Sequence, residues 1–219
     1  MLINVSVPET GALSEHAGRW RHWRWAVVGL AFSVVAATHA AAPGPRLWQV
    51  SVQTYSVPAV KLVDADGVSR PLAKALDDGR PVVMTFMYSS CTTVCPIVNQ
   101  TLVQFEHLLA ADRPKVNTVS ISIDPTHDTV QKLAEHAKRS GASGAFYTGD
   151  PGVSELVQRA FNVWRGGDKM NHKAVFLMKA PGVAGWVRID GLITPAELLS
   201  IYKHMVSGRV AVARQPFII

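Results

Sequence analysis

Two cysteines, Cys91 and Cys95, are the only ones in the 219-residue chain, and they stand in Ser89-Ser90-Cys91-Thr92-Thr93-Val94-Cys95-Pro96. An apolar run ends just before them and a helical pattern starts just after. At a spacing of four on a helical first turn their Cα atoms would lie about 6 Å apart, within disulfide range. A bridge closing so short a loop removes little entropy from the unfolded chain, so it would be a poor staple. Unpaired amides at a helix start favour the thiolate, which makes the pair reactive or metal-binding. Two thiolates on one turn form a soft chelate suited to Cu(I), zinc or an iron–sulfur cluster. Structural zinc and iron–sulfur clusters call for four protein ligands, and no further cysteine exists. Copper binding and dithiol exchange remain as alternatives. The plain reading is an inert buried pair or an incidental disulfide.

Eight histidines are available as a third ligand. His16, His22 and His39 belong to a leader-like segment. His107 follows Cys95 by more than two helical turns and cannot close the chelate. His136 and His204 fall inside later helices, and His127 reads as turn and capping chemistry. His172 ends the loop Arg165–Asn171 and immediately precedes the strand pattern Ala174–Lys179. If that strand neighbours the run Pro81–Tyr88, His172 arrives beside the corner that holds Cys91. A loop histidine alone is a weak signal. Asp168 and Met170 beside it offer an outer acceptor and a soft auxiliary ligand, although loop solvation and packing are the plainer roles for both.

Elements that would position these groups follow from periodicity. Pro58–Val63, a turn at Asp64–Gly67 and Ser69–Leu72 read as a hairpin. Pro81–Tyr88 and Val116–Ile123 are continuous apolar runs of the kind buried on both faces of a sheet. Val94, Ile97, Val98, Thr101, Leu102, Phe105, Leu108 and Leu109 fall at helical spacing. Asp128 is expected to cap a helix from Thr129 to about Lys138 that Gly141 ends. Ala145–Thr148 is a short strand, and Asp150 is expected to cap another helix with Pro151 in its first turn. Ala174–Lys179 and Trp186–Ile189 form a second hairpin, and Thr194-Pro195-Ala196-Glu197 is a capping box for a helix to about Val206. This order predicts an α/β sandwich around a mixed sheet.

The front end differs. Arg19, Arg21 and Arg24 alternate with tryptophans, then come the apolar stretch Ala26–Ala37 and the small residues Thr38–Ala42. Residues 1–42 are expected to be a cleaved secretory signal or an N-terminal membrane anchor with a linker, leaving a domain over 43–219 on the oxidising side. The formal charge is +6, with 22 Lys+Arg against 16 Asp+Glu, and its basic residues are scattered. No aromatic-basic ladder follows the leader, so nucleic-acid binding has no support. At 48% hydrophobic and 17% charged the chain is not intrinsically disordered.

Thr85–Pro96, followed by Ser120-Ile121-Ser122-Ile123-Asp124-Pro125-Thr126-His127-Asp128-Thr129 and by His172 before a strand, resembles the Sco/SenC proteins over about residues 57–206. The resemblance implies a thioredoxin-like three-layer fold on an exported or membrane-anchored domain, facing the periplasm or, equivalently, the mitochondrial intermembrane space. It implies copper, as Cu(I) and in some members Cu(II), held by Cys91, Cys95 and His172. The implied partner is the copper-site subunit of cytochrome c oxidase or another copper enzyme. The implied role is copper delivery, with the alternative of a thiol-disulfide oxidoreductase, Cys91 and Cys95 as its redox pair, that reduces copper-site cysteines. Thr92-Thr93 stand where the family often has Pro-Asp, and Asn171 where it often has Asp. Peroxide reduction on the same fold would need a Thr/Arg support constellation that the sequence does not display.

Overall fold

The computed structural model describes residues 47–209. The expected leader and the tail beyond residue 209 lie outside the described residues. Among the described residues no helix is long and apolar enough to cross a membrane.

Eight strands form one mixed sheet. They are β1 (Trp48–Gln53), β2 (Lys61–Asp64), β3 (Ser69–Pro71), β4 (Val82–Met87), β5 (Asn117–Ser122), β6 (Ala145–Thr148), β7 (Val175–Lys179) and β8 (Trp186–Gly191). The helices are α1 (Leu72–Leu76), α2 (Val94–Leu109), α3 (Val130–Ser140), α4 (Pro151–Ala160) and α5 (Pro195–Val206). Strand order across the sheet is β1-β8-β7-β4-β5-β6-β2-β3. Only the β4–β5 and β5–β6 pairings are parallel; every other neighbouring pair in the sheet is antiparallel.

The two central runs behave as their composition requires, with every residue of β4 and β5 buried. Alternate side chains enter opposite cores. Val82, Met84 and Phe86 pack with Leu72, Leu76, Val157 and Phe161 under α1 and α4. Val83 packs with Val98, Leu102, Phe105, Leu198 and Tyr202 under α2 and α5. Each fully buried side chain of this size contributes about 1.5–3 kcal/mol. Two packed layers of helices around a sheet are thereby assembled, the sandwich the periodicity predicted.

Three local expectations are corrected. β1 lay outside the predicted strands because it is a half-buried edge strand that pairs with β8 alone, so its apolar pattern is weak. Gly191 makes that pairing possible: at φ +108° it lets β1 approach so closely that an added Cβ would stand 2.1 Å from the Leu47 carbonyl oxygen. The first hairpin is shorter than predicted, because Leu72 turns inward to start α1 rather than ending a strand. Finally, Asp128 does not cap α3. Thr129 does, its side chain accepting from the Lys132 N–H, while Asp128 is drawn wholly inside.

Candidate metal and thiol site

β4 has β5 parallel on one side and β7 antiparallel on the other, so the ends of β4 and β5 and the start of β7 meet at one edge. Outside the carboxyl ends of parallel strands is where such sheets hold ligands. The condition set for His172 is therefore met: β7 is the neighbour of β4.

Cys91 sits in the turn ahead of α2, half-buried, and Cys95 in the first turn of the helix, 5% exposed. Both are free thiols. The Cys95 N–H donates to the Cys91 sulfur at 3.3 Å, and the Thr93 hydroxyl lies 3.8 Å from that sulfur. Burial pushes the Cys91 thiol up, but the Cys95 thiol, the backbone N–H groups of Cys95 and Thr93 and the Tyr88 hydroxyl outweigh it and bring it down to about 6. Burial, reinforced by its hydrogen bond to Cys91, pushes Cys95 up to about 12. Tyr88 is also raised to about 12 by burial and then by Cys91, so it keeps its proton at neutral pH and donates it. The pair is thus asymmetric: an accessible thiolate backed by a buried thiol.

A direct consequence is measurable. Iodoacetamide alkylation of Cys91 should be fast and flat above about pH 7 and fall tenfold per unit below about pH 6, because only the thiolate attacks. Tyr88→Phe removes one donor to the thiolate and should move the midpoint up by about one unit, the worth of one hydrogen bond to a charged group. An unchanged midpoint in that variant would show that Tyr88 does not support the thiolate.

His172 is held differently from the cysteines. Its Nε2 lies 3.0 Å from the Phe86 carbonyl oxygen, just past the last β4–β7 register pair at Thr85 and Phe176. At the same place the Thr85 hydroxyl donates to the Val175 carbonyl at 2.8 Å, so side chains replace backbone pairing where the two strands part. A carbonyl only accepts, so Nε2 carries the hydrogen and Nδ1 keeps a free lone pair. Burial lowers the His172 pKa, which keeps the ring neutral, the form that binds metals. The structure unites the two cysteines; it does not bring His172 into a cluster with them, and no group of three or more His, Cys, Asp or Glu is poised around a metal among the described residues.

The loop ahead of His172 is nonetheless fastened to the cysteine corner. The Lys169 ammonium pairs with Asp124 at 2.5 Å and lies 5.4 Å from the centre of the Tyr88 ring. The Tyr88 hydroxyl donates to the Met170 sulfur at 3.6 Å. Asp168 caps the short 3-10 turn Lys169–Asn171 by accepting from the Met170 N–H at 2.9 Å, which gives it the loop role rather than an outer-acceptor one. The other described histidines stay apart as expected: His127 contacts Lys132, His136 packs edge-on to Phe146, and His204 bonds within α5.

Sequence reasoning missed the groups that organise the corner. Asp128 is 0% exposed and accepts from the Ser89 N–H at 3.1 Å, from the Ser89 hydroxyl and from the Ser122 hydroxyl at 2.6 Å. The Asp124 carbonyl in turn accepts from the His127 and Asp128 N–H groups, which closes the turn. One tight turn after β5 therefore grips both loops: Asp128 the cysteine loop through Ser89, Asp124 the histidine loop through Lys169. The signal was present, since two acids four apart at the end of a buried strand exceed what one helix cap needs. Space at the corner is small. The cavity beside His172, lined also by Ile123, Trp164 and Lys169, holds about 20 Å³, roughly one water. The larger hollow, about 410 Å³ beside Arg80 and Arg113, is at the opposite end of the strands.

Residues 53–206 match the SCO1/SenC family model. No curated protein sequence matches the chain. Among solved structures, Arabidopsis thaliana ScoI with copper bound superposes with a TM-score of 0.61 at 21% identity, covering 70% of this chain and 99% of that one. Bradyrhizobium japonicum ScoI with copper bound gives 0.57 at 24% identity, over 66% and 96% of the two chains. BsSco, a Sco-family cytochrome c oxidase assembly protein described for its disulfide switch, gives 0.60 at 21% identity, over 72% and 96%. The architecture is thus the thioredoxin-like sandwich of these proteins.

Proposed function

Because the chain belongs to the SCO1/SenC family, we propose that it carries copper for cytochrome c oxidase assembly, with Cys91 and Cys95 as sulfur ligands and His172 as the nitrogen ligand. The observation that carries the reading is the adjacent pair of free thiols, one already a thiolate near neutral pH, at the open end of a buried strand. The donor set fits a monovalent copper ion: two soft sulfurs and a neutral imidazole whose Nε2–H is fixed on Phe86, leaving Nδ1 to bind. Bringing Nδ1 onto the ion calls for movement of one loop, and that loop contains Gly166 and Gly167, both at φ +85°. Half-exposure of Cys91 gives an acceptor protein an entry point for ligand exchange. The copper is cargo, passed on to a copper-site subunit. Residues 1–42 would export or tether the domain on the periplasmic or equivalent side, where oxidase copper sites are assembled.

The asymmetry of the thiols supports a second reading, a thiol-disulfide oxidoreductase for copper-site cysteines. Cys91 would attack and Cys95 resolve, as their opposed pKa shifts favour. Protection separates the two. Under the copper reading, one equivalent of Cu(I) per chain blocks alkylation of Cys91, the accessible thiolate, and a Cu(I) chelator restores it. Alkylation that proceeds unchanged in Cu(I) leaves only the dithiol chemistry.

A further inference from the structure

Met170 is held in a way that packing does not account for. Its sulfur accepts from the Tyr88 hydroxyl at 3.6 Å, and Tyr88 belongs to the cysteine corner, its carbonyl accepting from the Cys91 N–H at 3.2 Å and its ring sharing one buried cluster with Cys95. Met170 and the cysteine pair, from distant segments, thus meet at one side chain. The turn that carries Met170 is anchored on the same ring, with Lys169 over Tyr88 and tied to Asp124. Yet Met170 is 68% exposed, so burial is not what keeps it there. Meanwhile the imidazole two residues on is occupied at Nε2 by Phe86 and stands outside any ligand cluster of the described residues.

We propose that Met170 supplies a third sulfur to Cu(I) held on Cys91 and Cys95, an inference that rests on the copper reading above. A thioether is neutral, soft and polarizable, so it strengthens binding of Cu(I) and does little for Cu(II), which imidazole suits. Its sulfur has two lone pairs and can keep the Tyr88 hydrogen bond while holding the metal. Met170 adds no charge to the two thiolates.

The test uses the full chain, its Met170→Leu variant and the Cys91→Ser/Cys95→Ser double variant. Leucine keeps the volume at an exposed position, so folding is preserved, and the thermal midpoint checks it. Cu(I) affinity is read by competition with a chromophoric chelator, Cu(II) affinity by titration, and the sulfur shell by X-ray absorption at the copper edge. In Met170→Leu, Cu(I) affinity should fall about tenfold, the worth of one modest ligand contact. Cu(II) affinity should stay unchanged, and the Cu(I) sulfur shell should drop from three to two. Unaltered Cu(I) affinity and sulfur shell in Met170→Leu, with binding lost in the double variant, overturns the role of Met170 alone. Cu(I) binding that survives in the double variant overturns the copper reading itself, and this inference with it.

Discussion

Replacing His172 with alanine should weaken copper retention by about 100-fold or more while leaving exchange between the Cys91–Cys95 dithiol and its disulfide intact. Loss of a partner that merely orients a ligand already costs about 10–100-fold in metal affinity, and loss of the ligand costs at least that. The thiols would not feel the change, because none of the groups that set the Cys91 and Cys95 pKa values is His172. Copper affinity measured by chelator competition and redox equilibrium measured against glutathione therefore move apart. The substitution also frees the Phe86 carbonyl, a structural cost of about 1 kcal/mol that the thermal midpoint reports separately. Copper affinity equal to the parent's would remove His172 from the ligand set and leave the ion to sulfur ligands alone.

The second large effect belongs to a residue that never touches the metal in this scheme. Asp128→Ala should destabilise the domain by about 3 kcal/mol, a fall in thermal midpoint of about 6–12 °C for a domain of this size. The carboxylate is fully buried and serves three donors, the Ser89 N–H and the hydroxyls of Ser89 and Ser122. Its removal strands all three at the junction of β4 and the cysteine loop, where each unsatisfied donor costs about 1–3 kcal/mol and part is regained by water. Faster amide exchange should appear first at Ser89 and the residues after it. A loss below about 1 kcal/mol in calorimetry would mean that water replaces the carboxylate and that the turn does not hold the loop.

Asp124 and Asp128 also show why the site was only partly legible. As a string, Asp-Pro-x-x-Asp-Thr announces a turn and a helix start, and both occur. Which acid turns inward depends on what stands across the sheet edge, and Ser89 lies on another segment altogether. Tyr88 is similar: it closes an apolar run, and only the packed corner reveals that its hydroxyl donates to the Met170 sulfur. β1 escaped for the opposite reason, since an edge strand is half-solvated and leaves a faint pattern.

What the amino-acid order decided by itself was everything governed by short-range periodicity and scarcity. Continuous apolar runs had to be the buried centre of a sheet, the 3.6-residue spacing after Cys95 had to be a helix against it, and a sole pair of cysteines was bound to fall at the corner between them. The tertiary structure decided what depends on distance through space: that β7 lies beside β4, that the histidine ring rests on the Phe86 carbonyl instead of among the sulfurs, and that Asp128 faces inward. The division is physical. Burial periodicity is imposed residue by residue along the chain, whereas a hydrogen-bond partner or a metal ligand is chosen only when separate segments have packed.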